Sequence, residues 1–108
     1  MAYDQKLTER IRAELLGVPA VEKKMFGGVG FILNGNMACG VLGADLVARV
    51  SPEQHAELLT RPHVKPFAMT GRPMKGWLLV EPEGCKTARQ LGQWVKIGVE
   101  FASSLPPK

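Results

Sequence analysis

Cysteine occurs only twice in these 108 residues, as Cys39 and Cys85, and neither belongs to a Cys-x-x-Cys pair. That scarcity argues against a disulfide framework and against a zinc site, whose ligands come in closely spaced pairs. Both thiols are expected to be reduced and structural, Cys39 as a small hydrophobe inside an apolar strand. Long hydrophobic runs are also missing. No stretch reaches the roughly 18 apolar residues of a membrane span, and the start Met-Ala-Tyr-Asp-Gln-Lys lacks the core of a signal peptide, so a cytoplasmic address is expected. Acidic residues are absent from Leu58 to Val80, while Arg61, His63, Lys65, Arg72 and Lys75 all fall there. The overall charge of +4 by itself decides nothing about an acidic partner.

What is present reads as one ordinary globular domain, residues 1–108, with 45% hydrophobic and 22% charged residues. Its organising stretch is Met25 to Arg49. Met25–Leu33 is apolar and broken only by glycines, Asn34-Gly35-Asn36 is a reversal signal, Met37–Leu42 returns, and Gly43-Ala44-Asp45 turns the chain into Leu46–Val50. Three antiparallel strands in a meander follow from this reading. Gly27-Gly28-Val29-Gly30 superficially invites a phosphate-loop interpretation, but no Lys-Ser/Thr pair follows and the chain continues as strand. A bulge, or the close approach of a helix to the sheet, is the expected role of these glycines.

Helices flank the meander. Asp4 is placed to cap a first helix to about Leu16, with Leu7, Ile11 and Leu15 on one stripe and Gly17 and Pro19 as the stop. Val21-Glu22-Lys23-Lys24 leads from there into the sheet. Ser51, Pro52 and Gln54 open a second helix with a capping box, ending near Thr60 before Arg61-Pro62. His55, in its first turn, lacks a second ligand at metal-binding spacing. The long connection that follows is expected to hold a short strand at Phe67-Ala68-Met69 before the clearer strand from Gly76 to Val80. Thr87 and Gln90 form a capping box for a third helix, Ala88 to about Ala102, whose Ala88, Leu91, Trp94, Val95, Gly98, Val99 and Ala102 share one face. Gly98 within that face implies close contact with the sheet. Residues 105–108 read as a disordered tail. The expected fold is therefore α+β, an antiparallel meander sheet with helices packed on it, in the order α-β-β-β-α-β-β-α.

Four pieces in this order, Met25-Phe26-Gly27-Gly28-x-Gly30, Asn36-Met37, Gly71-Arg72-Pro73-Met74-Lys75 and Leu91-x-x-Trp94, resemble the N-terminal domain of the TfoX/Sxy family over nearly the whole chain. The resemblance implies helices layered on one antiparallel sheet, no catalytic residues and no cofactor. It also implies a bacterial role in transcriptional regulation of DNA-uptake genes during natural competence, with a transcription factor such as the cyclic-AMP receptor protein as partner. Longer relatives carry a second helical domain beyond the equivalent of Leu105, so a stand-alone N-terminal domain is expected here. In many relatives tyrosines occupy the strand where this chain has Gly76-Trp77-Leu78-Leu79.

Two surfaces are candidates for function. A protein-binding one comprises Arg72, Pro73, Met74, Lys75 and Trp77, since Arg and Trp are favoured interface anchors and Pro73 restricts Arg72 in advance. The alternative is direct nucleic-acid contact through Arg61, Lys65, Arg72 and Lys75, although that segment offers only Phe67 for stacking on bases and no recognition helix. Catalysis would require Cys39 as a nucleophile with His55 or His63 as its base, and a packed strand cysteine is a poor start for that chemistry.

Overall fold

Glycine at position 27 reverses the chain one strand earlier than its neighbours suggest. In the computed structural model, which describes residues 3–25, 27–67 and 75–107, Gly27 has φ of +77°, a backbone conformation that L side chains rarely adopt. The stretch read as one strand from Met25 is thus the junction of two. Strand β1, Ala20–Met25, pairs antiparallel with β2, Gly28–Leu33, with Met25 opposite Gly28. Two more strands complete a four-stranded meander, β3 at Asn36–Leu42 and β4 at Asp45–Arg49. After helix α2, Pro52–Leu59, come β5 at Val64–Pro66 and β6 at Trp77–Val80. The short strand expected at 67–69 therefore lies slightly earlier, and Ala68 and Met69 fall outside the described residues.

Among the described residues all pairings between strands are antiparallel, and six strands lie in the order β1-β2-β3-β4-β6-β5. With helix α1 at Gln5–Glu14 and helix α3 at Ala88–Ser104 the architecture is the expected α+β one, with one strand more than the sequence reading counted. Val29, Phe31, Cys39, Val41, Leu46, Ala48, Val50, Leu78 and Val80 alternate onto one sheet face. There they form a single core with Leu7 and Ile11 of α1, Leu58 of α2 and Leu91, Trp94 and Val95 of α3. The helices therefore cover one face of the sheet.

Helix starts follow the local chemistry. Asp4 accepts the Leu7 amide at 3.1 Å, and Thr87 and Gln90 make the reciprocal capping box at 3.1 and 3.0 Å. At α2 the box is incomplete. Ser51 accepts the Gln54 amide, but the Gln54 side chain accepts from the Ser51 hydroxyl rather than from its backbone.

The bulge expected at the glycines of β2 lies instead on β3. Phe31 pairs with Cys39 and Ile32 with Met37, leaving Ala38 as the extra residue. Gly98 of α3 seats there, and a side-chain carbon at position 98 would run into the Ala38 carbonyl oxygen. Glycines 28, 30 and 40 have another role. A Cβ at Gly28 or Gly40 would strike a carbonyl of the neighbouring strand, and one at Gly30 would meet the Met25 side chain at 3.0 Å. Near the C-terminal end, buried Asn36 donates to the Pro106 carbonyl at 3.0 Å and holds that part of the tail on the β2–β3 turn.

Both cysteines are free and buried. Burial pushes the Cys39 thiol from an ordinary 9.0 up to about 12. The folded state thus holds a proton that the unfolded chain loses first, so this group contributes stability in full below about pH 9 and loses it as pH rises towards 12. Thiol titration at pH 8 is expected to give two reactive groups in denaturant and essentially none at Cys39 in the native protein. Rapid native labelling of Cys39 would show that the sheet–helix core opens.

Candidate partner-binding surface

Strand alternation decides which side chains leave the core. Leu46 and Ala48 of β4 and Val50 just beyond it point inward, and Arg49 between them cannot. On β6, Leu78 and Val80 point inward, so Trp77 and Leu79 lie on the other face. The register places Arg49 directly opposite Trp77. The guanidinium carbon sits 4.4 Å from the Trp77 ring centroid and 5.2 Å from that of Phe101 on α3. Phe67, at the end of β5, meets Trp77 edge-on at 6.2 Å and 72°. The Arg49 guanidinium thus lies over two aromatic rings.

Desolvation by these neighbours lowers the Arg49 pKa, although an arginine remains charged at any ordinary pH. Among the described residues its guanidinium has no ion-pair partner, and residues 68–74 contain no carboxylate. A planar guanidinium whose donors make no side-chain hydrogen bond among the described residues is suited to a carboxylate supplied from outside.

Lys75, two residues before Trp77, is exposed. The Gly76 amide donates to His55 Nδ1 at 2.9 Å, and the Gly76 carbonyl accepts from the Val50 amide at 2.8 Å. His55 therefore ties α2 to the start of β6. Of the five residues expected to form the protein-binding surface, Trp77 and Lys75 lie at this end of the sheet, and Arg72, Pro73 and Met74 lie outside the described residues. Arg49 and Phe101, which were not among the sequence candidates, stand with Trp77 at this end of the sheet.

Of the four cations proposed for nucleic acid, Arg61 and Lys65 point to different sides of the sheet. Lys65 pairs with Asp45 at 3.2 Å and Glu81 at 3.8 Å, and the Asp45 hydrogen bond, before any longer-range attraction, raises its pKa. Its neighbour Val64 packs on the core, so Lys65 projects from the side away from the helices. Arg61 extends towards the helix layer, 5.8 Å from the Trp94 ring centroid and 4.0 Å from Glu57. Arg72 lies outside the described residues. Lys65 is already neutralised, and Arg61 sits on the opposite side of the sheet.

Among the described residues, an open antiparallel sheet with three helices on one face, and with Arg49 against Trp77 and Phe101 at one end, defines a small α+β domain. The chain matches the TfoX N-terminal domain over residues 15–102 and belongs to that family. All four motif pieces that carried the resemblance, the glycine-rich hairpin, Asn36-Met37, the Gly-Arg-Pro segment and Leu91-x-x-Trp94, lie inside the matched span. Searches of curated proteins and of solved structures find no match.

Proposed function

We propose that this domain is a non-enzymatic regulator of DNA-uptake genes that acts by binding a transcription factor, with the cyclic-AMP receptor protein as the candidate partner. The family match over residues 15–102 carries the competence-related part of this reading. The clamped Arg49 beside Trp77 and exposed Lys75 supports the protein-contact part, since such a surface fits an acidic residue flanked by apolar ones. The buried, protonated Cys39 weighs against a thiolate nucleophile.

Direct DNA binding is the weaker reading because Lys65 is engaged by two carboxylates and the aromatic faces beside Arg49 are occupied by the guanidinium. Parallel titrations of the purified chain against a labelled 20-base-pair duplex and against the receptor protein separate the two. Saturable receptor binding is expected, with DNA binding that is weak and falls steeply with salt. Submicromolar duplex affinity at about 0.15 M salt, lost in Lys75→Ala, would reverse the assignment.

A further inference from the structure

The two edges of the sheet are not alike. The β5 edge is three residues long, contains Pro66 and is crossed by the Lys65 ion pairs, features that blunt strand addition. The β1 edge runs six residues, Ala20 to Met25, without proline, and among the described residues pairs only with β2. The exposed large hydrophobic side chains among the described residues, Leu16 at 83% and Val21 at 66%, are at this edge or in the chain entering it. Two of its three charges, of opposite sign, are spaced two apart on one face. Glu22 reaches α1, taking Arg12 Nε at 2.6 Å and Arg12 Nη2 at 2.9 Å, and Lys24 shares that side of the strand by alternation. Val21, Lys23 and Met25 lie on the other side, with Lys23 opposite Gly30.

We propose that β1 pairs antiparallel with β1 of a second copy of this chain, about a two-fold axis through Lys23, to make a continuous twelve-stranded sheet. Antiparallel partners directly opposite each other share a face, which leaves few registers. An axis at Glu22 sets two acids against each other, and an axis at Lys24 sets two of its lysines against each other. The axis at Lys23 instead pairs Glu22 with the partner copy's Lys24 and Val21 with its Met25, each twice. Glu22 keeps its Arg12 contact and gains a second cation, so Arg12, Glu22 and the incoming Lys24 form a chain of alternating charge. Only the central Lys23 meets its own kind, on the open face where two flexible side chains diverge into water.

The contact is smaller than a standard interface of roughly 1,600 Å², and the dimer is correspondingly weak, so it is measured at high concentration. Sedimentation equilibrium from about 10 μM to 1 mM is expected to show a reversible monomer–dimer equilibrium. Lys24→Glu, which leaves the Arg12–Glu22 pair intact, should weaken it at least about tenfold, and Lys23→Thr, which removes the like-charge centre, should tighten it several-fold. The register has its own test. Under mild oxidation Lys23→Cys should cross-link rapidly between copies while Lys24→Cys does not, because only position 23 faces itself and Cys39 and Cys85 are buried. A monomer throughout the concentration range, unchanged association in both charge variants, or equal cross-linking at 23 and 24 would overturn the proposal.

Discussion

Gly98→Ala is expected to destabilise the domain by about 2 to 3 kcal/mol, although the same change in an exposed helix stabilises by about 1 kcal/mol. The sign is reversed by the place where α3 crosses the sheet. A Cβ at position 98 would overlap the Ala38 carbonyl oxygen, and that atom is backbone on a bulged strand, not the tip of a side chain able to rotate away. Relief requires α3 to lift from the sheet, which loosens the burial of Leu91, Trp94, Val95 and Ala102 together. Thermal unfolding followed by circular dichroism should show a midpoint lower by roughly 10 to 20 °C. Gly92→Ala on the same helix is the control. Its Cβ meets only the carboxylate tip of Glu14 at 3.1 Å, which is free to move, so the midpoint should stay or rise slightly. A rise for both variants would mean that α3 does not sit on the Ala38 bulge.

Arg49→Ala is expected to reduce partner affinity at least about tenfold at a stability cost of only about 1 to 2 kcal/mol. The stability cost is the loss of stacking on Trp77 and Phe101, and no buried carboxylate is left unpaired because none among the described residues contacts Arg49. The binding loss is larger because the rings orient the guanidinium before any partner arrives, so little ordering entropy is spent on contact. Arg49→Lys should bind almost as poorly as Arg49→Ala, since an ammonium keeps the charge but neither stacks as a plane nor offers a fork of donors. Binding by the lysine variant equal to that of the unaltered chain would show that charge alone suffices. A loss of more than about 3 kcal/mol of stability with binding intact would make Arg49 a structural clamp.

The α3 helix was readable in the sequence because its capping box, apolar stripe and embedded glycine all point to one solution, and the contact inferred for Gly98 is the one observed. The first hairpin was not. Two adjacent glycines inside an apolar run fit a bulge as well as a turn, and the positive φ of Gly27 is settled only when Met25 pairs back on Gly28. The same limit governs the site. Lys75 and Trp77 stood out by composition, but Arg49 becomes their neighbour only through the pairing of β4 with β6, strands separated in sequence by α2 and β5. Lys65 looked like a free cation in an acid-poor segment. Asp45 lies twenty positions earlier on β4, and the fold brings both it and Glu81 to the Lys65 ammonium.

The most direct test measures transcripts of DNA-uptake genes in the native host after deletion of this gene and complementation with the unaltered chain, Arg49→Ala or Gly92→Ala at matched protein levels. Transcripts are expected to fall on deletion, to recover with the unaltered chain and with Gly92→Ala, and to stay low with Arg49→Ala. Transcripts unaffected by the deletion, or restored fully by Arg49→Ala, would contradict a regulatory role exercised through this surface.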